Sequence, residues 1–162
     1  TSLGRPVLRV LRSGCYLAHD SLGYADAFAR IRGDAAAALP PGGLAPALEV
    51  WAHVQSRPEA EKAIAAMGKR DVGFDAGLPV PLLHRAAGAD PNAPPAPMPP
   101  GHFVTALNDQ HCHLQVPETS PLAFGDMVGF GIGHPCTTFD RWQVLFLVED
   151  DYRVSGAIRT FF

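Results

Sequence analysis

Hydrophobic and polar positions alternate along the middle of the chain. Between residues 48 and 55, every even position carries a small or branched apolar residue and every odd position a polar or aromatic one. Successive side chains of a strand point to opposite faces, so this period of two predicts a strand with one buried face. Further apolar runs bounded by turn residues predict short strands over 62–67, 71–75, 103–107, 112–116, 126–131, 143–148 and 152–160. Many short strands at such intervals are typical of a β-barrel or a β-sandwich.

Residues 1–46 follow a different pattern. An apolar run predicts a strand over 7–12. Apolar residues spaced by four and three predict a helix over 20–32, with Asp20 or Ser21 as its cap and Gly33 at its end. Residues 34–46 are rich in alanine, proline and glycine and predict a loop. One strand and one helix cannot form a layer of their own, so this region resembles the last unit of a barrel whose earlier units are missing.

Prolines dominate the segment between residues 88 and 101, at positions 91, 94, 95, 97, 99 and 100. Proline lacks a backbone N–H and is excluded from central strands. The segment is therefore expected to form an extended surface loop.

Composition narrows the classes of function. Of the 162 residues, 47% are hydrophobic and 18% are charged, which is typical of a globular domain. The 13 basic and 16 acidic residues are scattered, which argues against nucleic acid or a membrane surface as a partner. No apolar run reaches the ~20 residues of a membrane span. The three cysteines are an odd number at irregular spacing, so we expect free thiols in a reducing cytoplasm.

The segment Arg12-Ser13-Gly14-Cys15-Tyr16 follows the predicted first strand. Gly14 has no side chain to block a close approach, so the N–H groups of Gly14 and Cys15 can hold a phosphate, with Arg12 as a charged donor nearby. Strand–glycine–turn sequences are common, and an ordinary turn explains the same residues.

The segment Gly133-His134-Pro135-Cys136-Thr137-Thr138 combines an imidazole and a thiol. Proline disfavours a helical backbone at the preceding residue, which predicts an extended conformation for His134. Residues two apart in an extended segment face the same way, so His134 and Cys136 are predicted to converge on one ion. An imidazole and a thiolate suit zinc, and two ligands leave positions open for substrate or water. The alternative is a packed histidine and a buried thiol.

Two other polar segments offer further candidates. In Gln110-His111-Cys112-His113, alternation places His111 and His113 on one face, either as a second metal half-site or as the solvated end of a strand. In Met67-Gly68-Lys69-Arg70-Asp71, the basic pair either contacts a phosphate or carboxylate or belongs to a solvated hairpin.

Five ordered segments carry a resemblance to a known family. Together they resemble the D-serine deaminase (D-serine dehydratase) and D-threonine aldolase group, which are fold-type III pyridoxal-phosphate enzymes similar in plan to alanine racemase. The most specific part is the run His-Pro-Cys-Thr-Thr-Phe-Asp that starts at His134. The segments are Leu11-Arg12-Ser13-Gly14-Cys15-Tyr16-Leu17 with His19-Asp20, Met67-Gly68-Lys69-Arg70-Asp71-Val72 with Phe74-Asp75-Ala76-Gly77-Leu78-Pro79, Asn108-Asp109-Gln110-His111, Phe124-Gly125-Asp126, and Gly133-His134-Pro135-Cys136-Thr137-Thr138-Phe139-Asp140-Arg141-Trp142.

The resemblance implies a fold class and two regions. Such enzymes have an N-terminal (β/α)8 barrel that holds pyridoxal phosphate and a C-terminal β-domain that closes the site. The chain is then expected to be mainly β, with residues 1–46 as the remnant of the barrel and residues 47–162 as the C-terminal β-barrel-like domain.

The resemblance also implies site residues. Gly14 and Cys15 match the turn that binds the cofactor's phosphate, and Arg12 matches a position close to the cofactor. His134 and Cys136 match the metal pair of the D-serine dehydratases, where zinc holds the substrate's hydroxyl and carboxylate. D-Threonine aldolases tend to have Asp at the Cys136 position and a harder metal such as Mn²⁺ or Mg²⁺, so Cys136 favours zinc and dehydration. His111 matches a recurring histidine whose role the resemblance does not specify.

The implied reaction acts on a D-β-hydroxy amino acid, in a homodimeric enzyme. It is either deamination of D-serine to pyruvate and ammonia or an aldolase-type cleavage. The family's Schiff-base lysine lies upstream in the barrel, and Lys62 and Lys69, the only lysines here, match no such position. The chain by itself is therefore expected to be inactive, and its lack of an initiator methionine also favours a fragment. The alternative is a free-standing β-domain that binds a metal or a partner without catalysis.

Overall fold

A computed structural model describes residues 4, 7–10, 12, 14–15, 17–33 and 45–162 of the chain. In this part of the chain no helix is long and apolar enough to cross a membrane. The elements are α1 (Gly23–Arg32), β1 (Glu49–Glu59), β2 (Lys62–Ala65), β3 (Val80–Arg85), β4 (Ala96–Pro97), β5 (Phe103–Leu107), β6 (Cys112–Gln115), β7 (Met127–Gly131), α2 (Pro135–Phe139), β8 (Val144–Val148) and β9 (Val154–Arg159).

Seven strands form one antiparallel sheet in the order β4-β3-β7-β1-β2-β6-β5. The sheet curls until β3 approaches β5, so that it forms a half-barrel. Strands β8 and β9 form a separate antiparallel hairpin. The mainly β, barrel-like fold expected from the sequence is therefore confirmed.

Strand β1 makes the curl possible, because its two halves pair with different neighbours. Residues 49–53 pair with β7, and residues 54–59 pair with β2. Register shifts follow Val54 and Ser56, and such bulges bend a strand and increase its twist. The even positions from 48 to 54 are buried, as the alternation predicts.

The concave face of the half-barrel holds the apolar core. Its members come mainly from β1, β2, β5, β6 and β7 and from the loops between the strands, and each fully buried large side chain contributes about 1.5–3 kcal/mol. The largest buried side chains are those of Phe130, Met67, Leu114, Leu122, Ile132, Val54, Val72, Val116 and Val128.

Two sequence predictions for strands need correction. The segment 71–75 is not a strand but a turn, in which the Asp71 N–H donates to the Gly68 carbonyl (2.9 Å); glycine and aspartate are depleted in strands. Residues 7–10 and 12 of the predicted 7–12 strand have no strand neighbour in the described part of the chain, and a strand needs a partner for its backbone polar groups. Residue 11 lies outside the described residues, as do residues 34–44 of the predicted loop.

The proline-rich segment was interpreted correctly as excluded from the sheet centre, but it does contribute an edge. Strand β4 lies within it and pairs Pro97 with Leu83 and Ala96 with His84. Strand β3 was not predicted, because Pro81 interrupts it. Pro81 lies next to a register shift, where a missing N–H costs the ladder least.

Helix α1 confirms the helix predicted over 20–32, beginning at Gly23. The Asp20 carboxylate accepts hydrogen bonds from the N–H groups of Leu22 (2.8 Å) and Tyr24 (3.1 Å), so Asp20 is the cap. Gly33 ends the helix, and its N–H donates to the Ala29 carbonyl.

Leucine 22 docks α1 onto the end of β7. Its Cδ1 occupies the space where a Cβ on Gly133 (2.6 Å) or Gly77 (2.8 Å) would lie. The Ser21 N–H also donates to the Ile132 carbonyl (2.9 Å). Because these contacts require two residues without side chains, α1 is held at one defined position beside the sheet.

The carboxylate of Asp126 joins three segments at the start of β7. It accepts hydrogen bonds from the His84 ring (2.8 Å) and from the N–H groups of Ala87 (2.9 Å) and Ala123 (2.9 Å). The side chains of His84 and Asp126 are only 12% and 6% exposed. Burial by itself raises the pKa of Asp126, but these hydrogen bonds outweigh it and lower the pKa below its usual value.

We predict that Asp126→Ala destabilises the chain by about 3 kcal/mol, because a buried histidine and two N–H groups lose their acceptor. Chemical denaturation at neutral pH measures the loss. A lowered pKa means that the stabilisation is complete above the unfolded-state pKa of about 3.9 and disappears as pH falls through the folded-state value. The difference between wild type and variant should therefore shrink below about pH 4. Asp150→Ala, at an exposed turn, is the control and should cost less than about 0.5 kcal/mol. Equal stability of the two variants would contradict this account of Asp126.

One face of the β8–β9 hairpin is apolar and exposed. Leu145 packs against the core, whereas Val144, Phe146 and Val148 alternate with it and are 48%, 69% and 51% exposed. Val148 pairs with Val154, which extends the patch across the hairpin. A two-stranded sheet with such a face is typical of a surface that packs against something else.

We predict that the isolated chain self-associates through this face. Phe146→Lys should shift the association towards higher concentration in sedimentation velocity, because it places a charge in the patch. Gln55→Lys adds the same charge at an exposed position of β1 and should leave the association unchanged. A wild-type chain that stays monomeric at high concentration would contradict the prediction.

Candidate functional site

A cleft of about 460 Å³ opens between α1 and the end of β7. Cys15, Asp20 and Tyr24 line it from the side of α1 and its preceding turn. Asp75 and His134 line it from the opposite side. Residues from the beginning, middle and end of the chain therefore meet at one place.

His134 lies three residues after the end of β7 and immediately before α2. Its backbone is extended (φ −138°, ψ 87°), as the following proline predicts. Pro135, however, begins a helical turn, so the prediction that Cys136 continues an extended segment is wrong. Proline restricts the residue before it, but its own fixed φ suits the first position of a helix. The argument that strand geometry makes His134 and Cys136 face the same way therefore fails.

The ring of His134 is held by a carboxylate. Its Nδ1 lies 2.6 Å from Asp75 Oδ2, and the Thr137 hydroxyl donates to Asp75 Oδ1 (3.2 Å). The hydrogen bond from His134 lowers the pKa of Asp75 below its usual range. An ionised carboxylate can only accept, so Nδ1 carries a proton, and in the neutral ring Nε2 is then the nitrogen with the lone pair.

The loop that carries Asp75 is fixed against the first turn of α2. The Gly73 N–H donates to the buried Thr138 hydroxyl (2.8 Å), which in turn donates to the His134 carbonyl (3.1 Å). A Cβ at Gly73 would lie 2.7 Å from that carbonyl oxygen and would collide with the Thr137 hydroxyl. Glycine is therefore required for the loop to approach His134 this closely.

The thiols of Cys15 and Cys136 lie close enough to interact electrostatically. Burial and the neighbouring Cys136 thiol raise the pKa of Cys15. Cys136 is exposed and Cys15 is half-buried at the cleft wall. The predicted phosphate-binding turn and the predicted metal pair are thus adjacent in space.

The other residues predicted for cofactor binding are less closely placed. Gly14 is exposed, and a Cβ added to it would meet nothing within 4 Å, so the space beside its backbone is open. Arg12 is exposed and does not line the cleft. Lys69 and Arg70 lie in the exposed turn, where Arg70 is 3.7 Å from Asp109, as the solvated alternative predicts.

His111 is exposed at the start of β6 and lies away from the cleft wall. The predicted alternation is confirmed, because Cys112 is buried whereas His111 and His113 reach the other face. Among the described residues, no three His, Cys, Asp or Glu side chains gather into a group able to hold a metal ion. Within this part of the chain, therefore, neither His134 with Cys136 nor a second half-site at His111 and His113 has a third ligand.

Sequence reasoning missed Asp75, Asp20 and Tyr24 as residues of the cleft. Asp20 was interpreted only as a cap, and Asp75 was placed at the end of a strand that does not form. The available signal was the sequence Phe74-Asp75-Ala76-Gly77, in which a carboxylate precedes a glycine that has positive φ (125°). Such a turn exposes its carboxylate to other segments.

Comparisons with known proteins give one family and several similar structures. Residues 47–148 match the family model described as putative serine dehydratase domain. Among curated proteins, none matches the sequence.

The similar solved structures share the fold at low identity. D-Threonine aldolase from Filomicrobium marinum is 22% identical with a TM-score of 0.57, over 73% of this chain and 29% of that one. D-threo-3-Hydroxyaspartate dehydratase from Delftia sp. HT23 is 18% identical with a TM-score of 0.51, over 71% and 32%. A cysteine-to-alanine mutant of a D-threo-3-hydroxyaspartate dehydratase in the metal-free form gives 18% and 0.51, over 74% and 34%. The chain thus spans about a third of the length of these structures.

We predict that the three thiols react in the order Cys136, Cys15, Cys112. Cys136 is exposed, whereas burial raises the pKa of Cys112 to about 12. From a usual value of 9.0 this lowers the thiolate fraction about a thousandfold at neutral pH. Timed alkylation with mass-spectrometric peptide mapping gives the order. Under a mild oxidant, a disulfide should join Cys15 to Cys136; a bond that instead involves Cys112 would contradict the arrangement.

Proposed function

The chain belongs to the putative serine dehydratase domain family, and on that premise we propose that it is the metal-binding, site-closing β-domain of a pyridoxal-phosphate-dependent D-amino acid lyase. The observation that carries the proposal is His134 at the cleft wall, where Nδ1 contacts Asp75 and no residue that the structure describes bonds to Nε2. The chemistry is dehydration of a D-β-hydroxy amino acid such as D-serine, and aldolase-type cleavage is the neighbouring alternative.

His134 and Cys136 would hold the metal. Their donor set fits zinc, because a neutral imidazole nitrogen and an exposed thiol are both soft to borderline ligands. A carboxylate bonded to the second ring nitrogen is the usual arrangement around a metal-binding histidine. Manganese or magnesium suits a set of oxygen ligands better, so Cys136 favours zinc. The metal-free mutant among the similar structures supports a metal in that enzyme.

Gly14 and Cys15 would contact the cofactor's phosphate. The open space beside Gly14 admits a phosphate close to the backbone, and the Cys15 thiol, which lies beside the Cys136 thiol, brings this turn next to the metal pair. Arg12 is exposed and would supply positive charge. His111 would contribute only if a segment outside the described residues brought the cofactor towards β6.

Pyridoxal phosphate, when bound, supplies an electron sink for the carbon from which a proton is removed, and zinc draws electrons from the leaving hydroxyl. The residues of this chain bind and orient. His134 at the cleft wall and the exposed Cys136 beyond it would hold the ion, and α1 would close the opposite side with Asp20 and Tyr24. The walls thereby exclude water from one side of the substrate.

The two lysines do not reach the cleft wall. Lys62 pairs with Glu59 at 2.7 Å, and Lys69 lies over the Phe74 ring. A lysine that binds the cofactor would therefore come from an N-terminal (β/α)8 barrel, and we propose that this chain alone is inactive.

The exposed hairpin face supports a homodimer of the whole enzyme, and three free cysteines support a cytoplasmic location. The competing proposal is a β-domain that binds metal without catalysis, and it predicts zinc without turnover in the full-length protein.

We predict that Cys136→Ala removes zinc and lowers D-serine turnover about 100-fold or more in the full-length enzyme, because a loss of several kcal/mol of charge stabilisation is expected. Pyridoxal phosphate should remain bound, since its main contacts lie elsewhere. Metal analysis, the visible spectrum of the cofactor and pyruvate formation give the three measurements.

The matched control is Cys112→Ala, which removes a thiol buried in the core and should leave the zinc content unchanged. If Cys136→Ala keeps stoichiometric zinc and normal turnover, the assignment of His134 and Cys136 is wrong. Zinc without any turnover on D-serine or D-threonine in the wild type would favour the non-catalytic proposal.

A further inference from the structure

Asp75 is a carboxylate whose two oxygens both accept hydrogen bonds from the segment that carries the proposed metal ligands. Oδ2 lies 2.6 Å from His134 Nδ1, and Oδ1 accepts from the Thr137 hydroxyl (3.2 Å). Two acceptor contacts fix the plane of a carboxylate, where one would leave it free to turn. The direction of the His134 ring is therefore set from the loop between β2 and β3.

We propose that Asp75 is a positioning residue, which holds His134 as the tautomer protonated on Nδ1 and thereby presents Nε2 to a divalent metal ion. This inference rests on the proposed function, because it takes His134 as a metal ligand. It adds a residue that neither the histidine–cysteine pair nor the phosphate turn contains.

The chemistry of the contact requires this tautomer. A metal ion binds the lone pair of a neutral imidazole nitrogen, so the other nitrogen must carry the proton. A carboxylate on that N–H selects the tautomer and makes the ligating nitrogen more basic. Asparagine in place of aspartate keeps an acceptor oxygen but no charge, and alanine keeps neither. The two substitutions therefore separate orientation from charge.

The surrounding loop is built to hold Asp75 in place. The Trp142 ring N–H donates to the Asp71 carbonyl (2.7 Å), and the Arg141 side chain donates to the Lys69 carbonyl (3.1 Å). The Gly73 N–H donates to the Thr138 hydroxyl (2.8 Å). These three bonds tie the residues before Asp75 to α2 and the turn after it, so the loop and His134 form one unit.

Stability alone does not account for this arrangement. The side chains of His134 and Asp75 are 34% and 57% exposed. Ion pairs exposed to this degree contribute little to stability, because solvent screens them. Such an exposed pair does not by itself need a glycine without room for a Cβ or the three hydrogen bonds that hold the loop. A ligand that must point in one direction does need this support.

The experiment compares Asp75→Asn, Asp75→Ala and wild type in the full-length protein. Asp109→Asn is the matched control, because Asp109 is an exposed loop carboxylate 3.7 Å from Arg70 and outside the cleft wall. The probe is Co²⁺, whose affinity is measured by chelator competition and by its thiolate absorption. A second readout, made without metal, is the ¹⁵N chemical shift of the His134 ring, assigned with His134→Gln. Denaturant titrations and the cofactor's visible spectrum check that each variant folds.

We expect Asp75→Ala to weaken Co²⁺ binding about 10- to 100-fold. In this variant the His134 ring should also become a mixture of its two neutral tautomers. Asp75→Asn should give an intermediate affinity and largely keep the wild-type tautomer, whereas Asp109→Asn should match wild type in every measurement. A purely structural Asp75 would change the denaturation midpoint without changing the tautomer or the affinity of the folded variants.

The possible failures are distinguishable. If wild type binds Co²⁺ at Cys136 and both Asp75 variants bind it equally well, the positioning role is wrong and the proposed function stands. If wild type shows no thiolate absorption with Co²⁺, the metal assignment in the proposed function is wrong, and the positioning role falls with it. If Asp75→Ala is unfolded, Asp75→Asn decides: a wild-type Co²⁺ affinity in that folded variant would count against the proposal.

Discussion

The bend in β1 is the constraint on which the rest of this fold depends. One continuous strand pairs first with β7 and then with β2, and two register shifts bend it between those partners. A straight strand would keep the sheet open and would leave its apolar face in water. The bend instead turns the even side chains of β1 inward and lets the sheet close around Phe130 and Leu114.

The position of the site is set by the point at which the chain leaves the curled sheet. Strand β7 ends at Gly131, and the residues after it pass beneath the start of α1, where Leu22 occupies the room left by Gly133. The first turn of α2 follows immediately and carries His134 and Cys136 to the rim. Glycines at the end of β7 and in the loop before β3 thus determine how closely the helix, the sheet and the loop approach one another. The cleft lies where all three meet.

Different segments of the chain supply different chemical groups to the site. The rim of α2 supplies an imidazole and a thiol, and the loop after β2 supplies the carboxylate that orients the imidazole. The turn before α1 supplies a second thiol, next to the first. None of these groups belongs to the apolar core, so their chemistry can vary while the half-barrel remains intact. This separation is consistent with one family whose similar structures are described as both an aldolase and a dehydratase.

The sequence by itself determined the period-two burial of β1, most of the strands, the helix capped by Asp20, and the family. These depend on local alternation, caps and quoted motifs, which act within a few residues. Only the tertiary structure decided that Pro135 begins a helix, that residues 71–75 form a turn, and that Asp75 reaches His134. The contact of Asp75 joins segments 59 residues apart and depends on Gly73 lying against Thr138. No local pattern encodes such an approach, because it is set by packing between elements and not by the propensity of either one.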